Sequence, residues 1–127
     1  MSIQAKYQSV LNLGQELGAK DGAVTEANGV LTVTGTVHSE YEKNLLWDQI
    51  KEVGGATPTD IIADIKVEQT DYYAQYTVVD GDTLGSIAKH FYGEPKKYTQ
   101  IFKANLDVLE HPDRISTGQV LAIPFEQ

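Results

Sequence analysis

The chain has no cysteine among its 127 residues, which excludes disulfides, thiol chemistry and cysteine metal sites. No apolar run approaches the ~20 residues that span a bilayer. The opening Met1-Ser2-Ile3-Gln4-Ala5-Lys6 lacks the basic-then-apolar order of a secretory signal. Together these absences predict a cytoplasmic protein without membrane insertion. Cations are also scarce: 10 Lys and Arg stand against 18 Asp and Glu, for a formal net charge of -8. Both halves are acidic, so neither offers the basic face that nucleic acid or anionic lipid requires, and no nucleic-acid partner is expected. Only three histidines occur, His38, His90 and His111, far apart and without the paired spacing of a metal site. No serine stands in a nucleophile elbow and no glycine loop suits phosphate. Asp80 and Asp82 flank Gly81, but the further oxygen ligands of a calcium loop are missing. An enzyme is not expected.

What is present is periodicity. Leu84, Ile87, Ala88 and Phe91 recur at the spacing of one helix face, with Asp82 or Thr83 as the N-terminal cap and Gly93 as the stop. A second helix follows, begun by Pro95 and carrying Tyr98, Ile101, Phe102 and Asn105 on one side. Val120 to Ile123 reads as a strand stopped by Pro124, and it is expected to pair antiparallel with Tyr76 to Val79. The order is βααβ. In the first half, Ile3, Tyr7, Val10, Leu11, Gly14 and Leu17 share a helical face. Asn28-Gly29 between two β-prone runs, ending in Val30–Val37, signals a tight hairpin. Ser39 and Glu42 form a capping box for a helix with Tyr41, Leu45, Leu46, Ile50 and Val53 on its apolar side. Residues 61–67 alternate like a half-buried strand. That order is αββαβ. The fold class is therefore α+β, with domains expected at 1–70 and 71–127. Tyr72 and Tyr73, in the connection from Glu68 to Gln75, either hold the two domains together or cover the start of the second sheet. Trp47, Tyr92 and Tyr98 read as packing residues.

The run Tyr76-Thr77-Val78-Val79-Asp80-Gly81-Asp82-Thr83-Leu84, then Phe91-Tyr92-Gly93, Ala104-Asn105 and Gly118-Gln119-Val120-Leu121-Ala122-Ile123-Pro124, resembles a LysM domain. The resemblance implies a non-catalytic module for N-acetylglucosamine glycans such as peptidoglycan and chitin. Its groove would fall at Gly81, Asp82, Thr83 and Leu84 facing Asp113, Arg114 and Ile115. In the first half, Gly29-Val30-Leu31-Thr32-Val33-Thr34-Gly35-Thr36-Val37 resembles the strand motif of BON domains, and Gly35 there is expected to mark a close backbone approach. The BON–LysM pairing resembles a family of small cytoplasmic bacterial potassium-binding proteins. That resemblance implies a potassium ion held by backbone carbonyls of the BON-like domain, with the LysM domain packing against it. Gly18 to Gly22 and Gly54 to Thr59 are the candidate carbonyl loops. A monomer is expected, with an adaptor role in a larger assembly as a further alternative.

Overall fold

The computed structural model describes residues 2–126, and the chain divides into two compact units, one up to Thr70 and one from Asp71 onward. Both mix helix and strand, so the class is α+β. The first unit begins with α1 (Ile3–Lys6) and α2 (Gln8–Glu16), followed by the hairpin β1 (Lys20–Ala27) and β2 (Val30–Val37). Then come α3 (Glu40–Gly54) and β3 (Ile61–Val67). The sheet order is β1-β2-β3. Asn28 and Gly29 take φ of 56° and 77°, the left-handed pair that a two-residue turn requires. β2 and β3 run parallel, in register from Leu31 opposite Ile61 to Val37 opposite Val67. A parallel pair needs a crossover, and α3 supplies it.

Ser39 caps α3 by accepting the Glu42 N–H, but the Glu42 carboxylate accepts from His38 N–H, one residue before the expected partner. The single first helix expected from the periodicity is interrupted at Tyr7, whose ψ of 19° leaves the helical range. Tyr7 is fully buried, and its hydroxyl donates to Asp60 at 2.5 Å. The core of this unit joins Tyr7, Val10, Leu31, Val37, Leu46, Ile50, Ile61 and Ile65. Leu45 and Val33 are only half-buried; Leu46 takes the inward position on α3. Trp47 packs against this core as read from the sequence.

The second unit contains β4 (Ala74–Thr77), α4 (Leu84–Tyr92), a 3-10 turn at Pro95–Lys97, α5 (Tyr98–Ala104) and β5 (Val120–Ile123). Its two strands pair antiparallel, from Ala74 opposite Ile123 to Thr77 opposite Val120. The paired segment therefore starts two residues earlier than Tyr76. Tyr73 extends it with a bond from its N–H to Ile123 O, and its ring meets Phe125 edge-on at 5.8 Å. Gly93 ends α4 at φ 78°, as its position predicts. Leu84, Ile87, Ala88, Ile101, Leu109, Leu121 and Ile123 are buried, whereas Phe91 and Phe102 are half-buried at the margin. No helix among the described residues is long and apolar enough to cross a membrane.

Candidate functional site

In the second unit, the loop entering α4 and the long connection from α5 to β5 enclose a groove of about 540 Å³. The loop is built around one carboxylate. Asp82 accepts from the Tyr76 hydroxyl at 2.7 Å and from Val79 N–H at 2.9 Å, which folds residues 79–82 into a turn with Gly81 at φ 89°. The sequence left Asp82 and Thr83 as alternative caps, and the structure divides the work. Thr83 is the cap of α4: its Oγ1 accepts Ser86 N–H, while Ser86 Oγ accepts Thr83 N–H. Asp82 holds the loop instead.

The electrostatics follow from that geometry. The Tyr76 hydrogen bond, then the Val79 amide, keep the Asp82 carboxyl below the usual carboxylate range. The same bond, with burial, pushes the Tyr76 hydroxyl up to about 12. In the first unit the bonds from Lys6 and Tyr7 lower Asp60, and burial followed by Asp60 raises Tyr7 to about 12. Groups held below their unfolded value stabilise the fold above that value, about pH 4 for Asp, and lose the contribution as pH falls through the lowered one. The tyrosines contribute fully below about pH 10 and lose it as pH rises toward 12. Thermal melts across pH should therefore show a plateau between these limits. Asp82→Asn should flatten the acid limb of the second unit alone, and an unchanged limb would remove Asp82 from the account.

Of the residues read as a groove, Asp82, Thr83, Leu84, Asp113 and Ile115 do line it, joined by Gly85, Pro112 and Tyr98. Gly81 and Arg114 are outside the lining: Gly81 serves the turn, and Arg114 uses its N–H to close a turn onto His111 O. Leu84 is buried beneath the groove. Tyr98 corrects the sequence reading. Its spacing reads as a core or near-core packing residue, yet it is 37% exposed at the groove wall, because α5 starts there with its buried face carried by Ile101. A flat aromatic beside a few polar groups is a lining that small-molecule sites commonly have. The signal available was position: a tyrosine in the first turn of a short helix, three residues before the buried Ile101.

A LysM family model matches residues 76–124. The second unit carries a LysM domain. The chain is also 39% identical over 101 residues to the potassium binding protein Kbp of Escherichia coli, covering 79% of this chain and 66% of that protein. An alignment of that length exceeds the LysM unit and extends well into the first. A protein of Deinococcus radiodurans is 32% identical over 112 residues, 80% of this chain and 43% of its own. The chain thus spans just under two thirds of the first relative and less than half of the second. An esterase of Mycobacterium tuberculosis is 43% identical over 51 residues, 40% of this chain but 11% of the esterase. That is about the length of the LysM domain and too short to carry a hydrolase fold. LysM domains and the Escherichia coli relative are binding proteins rather than enzymes.

The first unit has a different donor chemistry. No group of three or more His, Asp or Glu among the described residues is placed to hold a metal. Its loops present backbone instead. The segment after α3 leaves the helix at Gly55, with φ of 92°, and rejoins the sheet where Asp60 O accepts Leu31 N–H. The end of α2 is more committed, since Leu13, Gly14 and Gln15 carbonyls accept from Leu17, Ala19 and Gly18. Lys20 already belongs to β1, and a bulge at Asp21 and Gly22 opposes the single residue Gly35.

Proposed function

We propose that the chain is a cytoplasmic, monomeric, non-enzymatic protein that binds potassium through its first, BON-like unit. The observation that carries this reading is the 39% identity to a protein named for potassium binding, over an alignment that reaches beyond the LysM domain. The donor chemistry supports it: a weakly hydrated monovalent ion takes neutral carbonyl oxygens, and the loop from Gly55 to Thr59 lies outside helix and ladder. Of the two candidate loops this one is favoured, because residues 20–22 of the other already belong to β1. A ligand held only by the folded state raises the melting temperature by mass action. Melts in matched potassium and sodium chloride should show a higher midpoint in potassium, saturating with concentration. Equal midpoints would reduce the effect to screening of the -8 charge and end the proposal.

A second reading has its own observation, the 540 Å³ groove walled by Tyr98, Thr83 and Asp113 in the LysM domain. On this reading the groove holds an N-acetylglucosamine oligomer of the peptidoglycan or chitin type, with Tyr98 beneath a sugar ring. Adding such an oligomer should shift amide resonances around 82–85, 98 and 112–115, and leave the first unit unchanged. Tyr98→Ala should weaken binding by about five- to 150-fold, the ~1–3 kcal/mol scale of an aromatic stacking platform. Absence of shifts at millimolar oligomer would exclude it.

A further inference from the structure

A second cavity, of about 340 Å³, opens in the first unit between α2 and the sheet. Core side chains form its inner wall, among them Val10, Leu46, Ile50 and Ile65, while Gln4, Gln8, Gln15 and Thr34 supply its polar groups. Among the described residues, none that lines it is charged. The cavity is an open cleft, with Gln4, Gln8, Gln15 and β1 exposed along its outer side, and its size falls in the range of ligand pockets.

Three glycines bound the cavity, Gly14, Gly22 and Gly35, and none of them is required by the backbone or by packing. All three avoid the left-handed region. A Cβ would sit 4.0 Å from Leu46 Cδ2 at Gly14, 4.0 Å from Thr34 O at Gly22, and 3.7 Å from Lys20 O at Gly35. Those are ordinary contacts; at Gly35 the neighbours are the backbone of β1, Lys20 O and Gly22 Cα, the approach expected from the sequence but with room for a Cβ. Gly14 lies inside α2, where glycine is a poor helix former. What the three share is the space they leave open.

We propose that this cavity binds a neutral, mainly aliphatic small molecule whose single hydrogen-bonding head meets the glutamine amides. The inner apolar wall takes the chain, and the exposed Gln4, Gln8 and Gln15 leave the head at the open side. An ionised head finds no opposite charge among the lining residues to hold it. The test uses the full chain with 1-octanol, octanoate and octylammonium as probes, followed by amide resonances. Octanol should give saturable shifts at Gly14, Gly22, Ala23 and Gly35, and both ions should bind at least tenfold more weakly. Gly14→Leu should abolish the octanol response. If that variant does not fold, Ala63→Val, which narrows the same cavity from the sheet, should weaken the response at least threefold. No saturable shift up to the solubility limit, shifts located elsewhere, ions binding as well as octanol, or full binding in the folded filled variants would each overturn the proposal.

Discussion

Asn105→Leu is expected to destabilise the LysM domain by about 4 kcal/mol while leaving the first unit intact. Asn105 is 3% exposed and follows the last turn of α5. Its Nδ2 donates to Ile101 O at 2.7 Å and to Ala122 O at 2.8 Å, and its Oδ1 accepts Ala122 N–H at 2.9 Å. Leu121 and Ile123 pair with β4, so Ala122, between them, turns its own N–H and C=O to the outer edge of β5. The carboxamide occupies that edge as a neighbouring strand's peptide would. Leucine conserves the volume but leaves both groups of Ala122 without these partners, at ~1–3 kcal/mol each. A unit this small has little stability in reserve. Asn105→Asp separates the contributions: it keeps an acceptor for Ala122 N–H but loses both donations and sets a carboxylate against two carbonyls. It should be no better than leucine. Urea unfolding followed by Trp47 fluorescence reports the first unit, because Trp47 is the sole tryptophan. Amide exchange at Leu121 and Ile123 reports the second. Unchanged protection at those two amides in Asn105→Leu would show that the clamp carries no stability.

That clamp also shows where sequence reading ends. Periodicity located α3, α4 and the hairpin at Asn28-Gly29, because each is a local pattern written in consecutive residues. The LysM resemblance located the groove for the same reason, since Gly81 to Leu84 and Asp113 to Ile115 lie in two short motifs. Asn105 sat on the expected helix face, but its role depends on a strand 17 residues away, and nothing in the spacing reveals which edge of that strand is open. Tyr98 was misplaced because an aromatic at helical spacing fits a core equally well. Exposure was decided by how α5 turns Ile101 inward. The break at Tyr7 was hidden too, at a residue whose hydroxyl meets the carboxylate of Asp60, 53 residues downstream. The 340 Å³ cavity had no signature beyond isolated glycines. Local order was legible; the long-range polar contacts were not.

The second large effect comes from one of those contacts. Gly54→Ala is expected to cost the first unit about 3 kcal/mol, toward the upper end of overpacking penalties. A Cβ at Gly54 would lie 2.1 Å from the Tyr7 hydroxyl oxygen, 3.0 Å from Pro58 Cβ and 3.1 Å from Tyr7 Cζ. Tyr7 has no free space to move into, being fully buried with its hydroxyl on Asp60. Helix propensity argues the other way, since alanine is the better helix former by ~1 kcal/mol. The two readings therefore predict opposite signs. Tyr7→Phe removes the atom that clashes most, along with its bond to a charged group, and alone should cost ~1.5–3 kcal/mol. Combined with Gly54→Ala, it should cost clearly less than the two single changes added together, because the worst overlap and the lost bond involve the same oxygen. The remaining contacts near 3 Å keep the rescue partial. Urea midpoints read from Trp47 fluorescence for the wild type, both single variants and the double variant close this cycle. Strict additivity, or a Gly54→Ala variant more stable than wild type, would mean that α3 ends in glycine for some reason other than the tyrosine beneath it.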